Sequence, residues 1–372
     1  MDFDLNEDQQ SLRDVLRDLL DKRADSARVR AVLDSGTGWD ADLWNTLADE
    51  LGLVGLTVPE EVGGAGAGMV ELFIVQEQLG RRLAPVPYLA ALLASETLLT
   101  CGTEDERRAW LPSLCRGEDV ATLAIAEHDV PWQVEGTTVV AAESGGAWAV
   151  TGRKDHVLAA DCATSYLVPA RRSDGQVQVF RVTSDQEGVS VRPDESLDPT
   201  RPTSTVSFEH ATAEPVGEAS ADVIRALERV ALVAGLALAA EQIGGMQRSL
   251  DLAVEHAQTR VQFDRPIGGF QGVKHRLADM YVALASTRAS VQYAAWCLQT
   301  DAEDAKAAVT LARGRAAESF YRVARDAIQV QGGIGCTWEH DAHFYLKRSV
   351  TGRVLLGSTG QTRELAAGSI GF

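Results

Sequence analysis

Apolar residues recur at helical spacing near the start of the chain, where Leu12, Val15, Leu16, Leu19 and Leu20 fall on one face. Asn6 with Gln9 three residues on has the form of a capping box, so this helix is expected to begin near Asn6. A second helix is predicted around Leu43 to Leu51, stopped by Gly52. A third helical run, Met69 to Leu79, follows the glycines of Gly63 to Gly68. Glycines ahead of a helix can cradle a phosphate, but the motif is incomplete and no βαβ unit surrounds it. A mobile connecting loop is the expectation there.

Between about residues 120 and 218 the period shortens. Gln176-Val177-Gln178-Val179 alternates after the turn pair Asp174-Gly175, and Val189 to Val191 and Thr205 to Phe208 alternate as well. Pro193, Pro199, Pro202 and Pro215 punctuate the region, which suits a small β-barrel or sandwich. From about Ala221 helical spacing returns in a nearly unbroken run to Phe263, apolar almost all round from Leu227 to Ile243. Such a helix is buried in a bundle or a subunit interface. A following helix from about Gln271 carries Val273, Leu277, Met280, Tyr281 and Leu284 on one face. Another runs from about Glu303 to Gln331, and a fourth follows Trp338, completing an antiparallel bundle. The expected fold is α+β and mostly α, with a helical domain over 1–119, a β domain over 120–218 and a four-helix bundle over 219–372.

Composition narrows the partners. With 53 acidic and 35 basic residues the 372-residue chain carries a net charge of -18, which argues against a nucleic-acid or anionic-membrane surface. Any phosphate must be met by a local basic site. No stretch approaches the roughly 18 apolar residues of a membrane span, and the start, Met1-Asp2-Phe3-Asp4, is acidic and unlike a signal peptide. A cytoplasmic protein is expected. Cys101, Cys115, Cys162, Cys297 and Cys336 show no Cys-x-x-Cys spacing and read as reduced thiols. His340 and His343 have the spacing of two metal ligands on a helix, but no third ligand clusters with them. A charged helix start is the expectation, and no metal is predicted.

Two stretches carry chemistry. Arg260-Val261-Gln262-Phe263-Asp264-Arg265-Pro266-Ile267-Gly268-Gly269-Phe270-Gln271 ends one helix and begins the next, offering a guanidinium, amides and an aromatic ring. Gln329-Val330-Gln331-Gly332-Gly333-Ile334-Gly335 ends another, with an amide and glycines that let a ligand approach the backbone. Together they suit a large, anionic, partly aromatic cofactor.

These stretches resemble the C-terminal domain of the acyl-CoA dehydrogenase family. Pro59 to Gly66, Trp110-Leu111-Pro112 and Gly117-Glu118 resemble its N-terminal landmarks in order, so the resemblance runs nearly end to end. It implies three domains, a tetramer, FAD, an acyl-CoA substrate and an electron-transfer flavoprotein as acceptor. Carried over residue by residue, Arg260, Gln262, Phe263 and Gln271 reach across a subunit interface to the pyrophosphate and adenine side of FAD, and Gln329, Gly332 and Gly333 line the same cofactor.

The departures from the family pattern are uneven. Asp264 stands where the family most often has glycine; aspartate tolerates the turn, but its carboxylate repels a pyrophosphate. Ala126-Glu127-His128 and Asp129-Val130-Pro131-Trp132 replace the family's Thr-Glu-Pro and Gly-Ser-Asp, and His156 and Leu158 replace a tryptophan and a threonine that pack on the flavin. The reaction needs a carboxylate for the α proton while the flavin takes a hydride from the β carbon. Its usual position falls on Leu356, or on Gly357 with a one-residue slip to match Thr359 and Gln361; the alternative position falls on Ala234. None supplies a carboxylate, so the base is unassigned. Glu241 and Glu228 lie about two turns to either side of Ala234, too far to substitute in the usual geometry, and Glu241 is expected in a buried salt bridge or interface instead.

The uneven loss resembles the second subunit of heterotetrameric family members, which mainly adds the trans contacts to the nucleotide end. The leading expectation is therefore a chain that completes a site shared with a partner subunit. A homotetrameric acyl-CoA or acyl-carrier dehydrogenase with a non-standard base, and a structural or CoA-binding relative without flavin, are the alternatives. Leu227, Val230 and Leu236 are generic apolar residues and do not single out an acyl group.

Overall fold

The first helix begins where its cap predicts. In a computed structural model, which describes residues 5–128, 130, 132, 134–218, 222–357 and 359–369, Asn6 Oδ1 accepts from the Gln9 N–H at 2.8 Å, and Gln9 Oε1 accepts from the Asn6 N–H at 3.1 Å. Met1 to Asp4, Asp129, Pro131 and Ala221, named above, lie outside the described residues. The chain then runs α1 (Glu7–Arg23), α2 (Ser26–Ser35), α3 (Ala41–Asn45), α4 (Met69–Arg82), α5 (Tyr88–Cys101) and α6 (Glu104–Cys115). The strands β1 (Ala121–Leu123), β2 (Val140–Ser144), β3 (Ala147–Leu158), β4 (Ser165–Arg172), β5 (Val177–Thr183), β6 (Val189–Pro193) and β7 (Thr203–Val216) follow. After them come α7 (Asp222–Thr259), a hairpin of β8 (Val261–Gln262) and β9 (Arg265–Pro266), α8 (Gln271–Gln299), α9 (Ala305–Gln331), α10 (Ala342–Gly352) and α11 (Thr359–Ser369). Helices, then strands, then helices are the α+β, mostly α order expected.

The described residues group into two compact units, one of residues up to Ala31, Met69–Ala84 and from Gly235 on, the other of Val32–Gly68 and Pro85–Ala234.

In the second unit the strands close on themselves. β4 pairs with β2 and with β5, β2 with β3, β3 with β7, and β7 with β5, so five strands form a ring, with β1 beside β4 and β6 beside β7. Tyr166, Phe180, Phe208 and Val206 fill the interior. Gly145 and Gly146, both with positive φ, make the two-residue turn between β2 and β3. The glycines of Gly63 to Gly68 do not form a loose connection: Gly64, Ala65, Gly66 and Ala67 donate backbone hydrogen bonds to Pro59, Gly55, Val58 and Leu56. That pinning uses the amides a phosphate would need.

The first unit is built on the part of α7 from Gly235 on, which is buried all round as far as Met246. α8 and α9 lie antiparallel, joined by Arg276–Asp326 at 3.6 Å, Thr287 Oγ1 to Ser319 Oγ at 3.0 Å and Tyr293 Oη to Asp304 Oδ2 at 2.5 Å. Met280 and Leu284 are buried on α8 as expected, but Tyr281 is 62% exposed; the inward stripe is narrower than the apolar pattern. The fourth helix of the expected bundle, α10, is short, and α4 packs beside α8.

Two glycines bring α4 and α7 backbone to backbone. A Cβ on Gly80 would lie 2.1 Å from the Glu241 carbonyl oxygen, and one on Gly244 would lie 1.9 Å from that of Glu77. Gly244→Ala is expected to lower stability by about 1–3 kcal/mol through overpacking, read from the urea midpoint. Gly272→Ala in α8, where a Cβ meets nothing within 4 Å, should leave the midpoint unchanged or raise it.

Candidate functional site

The nucleotide-type residues sit at helix ends and turns of the first unit, where side chains can point outward. α7 stops at Thr259, and the exposed Arg260 leads into β8. Gln262 and Arg265 pair across the hairpin, leaving Phe263 and Asp264 as its two turn residues with φ of 52° and 62°. That is the left-handed geometry of a tight β-turn, usually given to Asn-Gly, and a phenylalanine there is strained. Phe263 is held 84% exposed, edge-on to Phe270 at 6.1 Å. Arg265 lies over the Phe270 ring at 4.0 Å. The Ile267 N–H donates to the Arg260 carbonyl, closing the base of the hairpin. α8 then begins at the exposed Gln271 with no side-chain cap; the Val273 N–H donates to the Phe270 carbonyl, and the positive end of the helix dipole at Gln271 and Gly272 is left open to an anion.

The antiparallel contacts of α8 and α9 put the start of α8 and the end of α9 at the same end of the pair. Gln329 is exposed on the last turn of α9. Gly332 follows at φ 66° and ψ -145°, a conformation almost confined to glycine. A Cβ on Gly332 or Gly333 would meet nothing within 4 Å, so the backbone there faces open space. Arg260, Gln262, Phe263, Gln271, Gln329, Gly332 and Gly333 are thus all exposed in one compact unit, although the Gln262 amide folds back onto its neighbour's carbonyl.

The positions that the resemblance would set against a flavin ring lie in the second unit and bond largely to one another. Asp155 and His156 form a bulge in β3, and His156 has a φ of 52°. Asp155 Oδ2 accepts the His128 backbone N–H at 2.8 Å, and the Asp155 N–H donates to the Ala126 carbonyl. His156 Nδ1 lies 3.1 Å from Asp194 Oδ2, and Thr203 and Thr205 donate to the same carboxylate. Burial works against ionising Asp194, but the hydrogen bonds from Thr205, Thr203 and His156 outweigh it and lower its pKa. Leu158 and Ala126 are buried and apolar. Sequence reading found the substitutions but not this His156–Asp194 pair, whose partners share no periodic spacing.

Beneath these residues Lys154 is fully buried with its Nζ 2.5 Å from Glu127 Oε1. Thr137 donates to the same oxygen, and Thr138 donates to Glu127 Oε2 through its N–H and hydroxyl, each at 2.6 Å. Burial would raise the Glu127 pKa, but the Lys154 charge and these hydrogen bonds overcome it and bring the carboxyl down to about 2.

No carboxylate stands at either base position. Ala234 is buried, and Leu356, at φ 58°, and Gly357 lie in the loop after α10. Arg313 of α9, itself buried, donates to the Leu355 carbonyl and, at 3.3 Å, to the Gly357 carbonyl, so the loop is held through its backbone. Glu241 is committed elsewhere: its Oε1 accepts from Arg348 at 2.9 Å, with both side chains buried. His340 and His343 do not converge either. His340 Nδ1 accepts from the Ala342 N–H, while His343 stacks against Trp338.

Residues 6–118 match the family model described as "Acyl-CoA dehydrogenase, N-terminal domain", and residues 227–371 match "Acyl-CoA dehydrogenase, C-terminal domain". The chain is 35% identical to acyl-CoA dehydrogenase IpdE2 of Mycobacterium tuberculosis over 95% of this chain and 94% of the relative. It is 31% identical to acyl-CoA dehydrogenase FadE27 of the same organism over 98% of each. Among solved structures, a chain of the ChsE4-ChsE5 complex from M. tuberculosis superposes with a TM-score of 0.88 at 30% identity, covering 100% of this chain and 99% of that one.

Two buried ion pairs give separate stability tests. Glu127→Gln should cost about 3–5 kcal/mol in urea unfolding, because it leaves Lys154 buried without its counter-charge. The wild-type pair carries a pH signature: with its pKa lowered from an ordinary 4.5 to about 2, Glu127 contributes stability that is present above pH 4.5 and lost as pH falls toward 2. The variant should lack that part of the acid slope. Glu241→Gln should likewise cost about 3–5 kcal/mol, and pairing it with Arg348→Met should recover most of the loss.

Proposed function

Because this chain belongs to the acyl-CoA dehydrogenase family, we propose that it is the nucleotide-holding subunit of an FAD-dependent acyl-CoA dehydrogenase whose flavin-ring site and base come from an unlike partner of the same family. One contrast carries this reading. The residues suited to the nucleotide end are exposed and open, whereas the ring positions bond to one another and the base positions hold Leu356, Gly357 and Ala234.

The fit of FAD divides the same way. Arg260 offers a planar fork to a pyrophosphate, the uncapped start of α8 offers amides, and Gly332 and Gly333 offer close approach. The ring end does not fit: the His128 N–H is already bonded to Asp155, and no hydroxyl stands at Leu158. Bound FAD supplies the acceptor for the hydride from the β carbon of an acyl-CoA thioester. This chain binds and orients the nucleotide; its Phe263 tip covers the bound end from water. An unlike partner is also in keeping with the structurally similar chain, which was solved as part of the ChsE4-ChsE5 complex.

A tetramer accords with the outer face of α8 and α9. Val282 and Leu311, 62% and 50% exposed, line a groove of about 550 Å³ together with the charged Asp279, Arg315 and Glu318, and α11 helps to form it; a mixed apolar and charged face of this kind suits another subunit. The three-domain division at 119/120 and 218/219 belongs to the same reading, as does an electron-transfer flavoprotein as acceptor, which is the oxidant to supply in assays.

Flavin absorbance per protomer, measured on the chain alone and after co-expression with its partner, tests the proposal. Little flavin alone and about one per pair of unlike chains is expected; one per protomer of the chain alone would make it a self-sufficient homotetramer. Arg260→Ala should release flavin from the complex while the urea midpoint moves by no more than about 0.5 kcal/mol, since the side chain is exposed.

A further inference from the structure

The start of α10 takes its cap from an imidazole. Asp341 stands at the N-cap position, where a carboxylate ordinarily accepts from the first amides of a helix, yet its side chain makes no cap bond. It is committed to α2 instead: Asp341 Oδ1 accepts from Arg30 at 2.6 Å and from the Ser26 hydroxyl at 2.7 Å. The first amide of the helix, the Ala342 N–H, donates to His340 Nδ1 at 3.1 Å. All of these residues belong to the first unit.

An imidazole can fill that place in one charge state only. Neutral, with its proton on Nε2, the ring has a lone pair on Nδ1 and accepts; protonated, both nitrogens carry hydrogen, and Nδ1 meets the Ala342 N–H donor to donor. The positive end of the α10 dipole lies at the same point and adds to the mismatch. Around the ring, Asp341 favours an imidazolium but already serves Arg30 and Ser26, whereas His256 and Arg248 of α7 and Arg30 of α2 bring like charge. Burial is the first cause that holds the His340 pKa below its ordinary 6.5, and burial and those cations together outweigh Asp341. His343, buried on the next turn against Trp338, has its pKa lowered too, by burial and by Lys347.

We propose that His340 is a proton-released cap: neutral, it fastens the start of α10, and protonated, it lets go, so that the segment from Thr337 to Tyr345 opens locally. That segment has few other fastenings at its beginning. Trp338 and Glu339 are exposed, the His340 N–H reaches the Thr337 carbonyl at 3.3 Å, and Arg30 donates to the Trp338 carbonyl at 2.5 Å. With a pKa lower in the folded chain than the ordinary 6.5, His340 contributes stability that is present above pH 6.5 and is lost as the pH falls below it.

Hydrogen–deuterium exchange of the full chain reads the opening, by mass spectrometry of peptides within 334–345 and after correction for the intrinsic pH dependence of amide exchange. Wild type should exchange there about fivefold faster at about pH 5.5 than at about pH 7.5, while peptides from the buried middle of α7 show no such rise. His340→Asn separates the cap from the proton, because the asparagine Oδ1 stands on Cγ as Nδ1 does, accepts at every pH and takes up no proton. It should keep the slow exchange of wild type at the higher pH and remove most of the rise at the lower one. His340→Ala should exchange about fivefold faster than wild type already at the higher pH, and His343→Phe should keep the rise. A flat wild-type profile overturns the inference without any variant. So does an undiminished rise in His340→Asn, or a rise abolished by His343→Phe, which would put the responsible proton on the neighbouring ring.

Discussion

The first unit depends on one close approach of backbone to backbone. With Gly80 on α4 against the Glu241 carbonyl and Gly244 on α7 against that of Glu77, the two helices meet without a side chain between them. This contact fixes the depth of α7 in its unit, and α7 is the rod at whose end Arg260 stands. Glu77 then reaches Arg288 at 2.5 Å on α8, which ties the helix carrying Gln271 to the same frame. The position of exposed cofactor-type residues is thus decided by buried contacts well inside the bundle.

The second unit solves a different problem with charge. Its strand ring buries an ammonium, Lys154, that hydrocarbon packing could not accept. Glu127, Thr137 and Thr138 make that burial tolerable and at the same time fasten β3 to the segment carrying Ala126 and His128. Where ring recognition is expected in the family, the local groups have turned toward one another.

What could be read in the sequence follows from the range of each interaction. The Asn6–Gln9 cap, the long apolar helix and the shift to strands at about residue 120 are local patterns, and they stand where expected. The end of α9 at Gly332 and Gly333 was visible for the same reason, since glycine pairs after a helix carry a short-range meaning. Tyr281 was misplaced because an apolar pattern does not tell a bundle interior from an outer face. The Glu241–Arg348 pair spans 107 positions and had no signature beyond a charge on a buried helix.

The β8–β9 hairpin shows how a cost can be moved from one event to another. Between β2 and β3 the two left-handed turn positions are both glycine; between β8 and β9 they are Phe263 and Asp264. The strain of that choice is met once, when the chain folds. In return the tip has less freedom to lose when a second molecule closes over it, so the entropy of ordering is spent before the encounter and association starts from a preorganised loop.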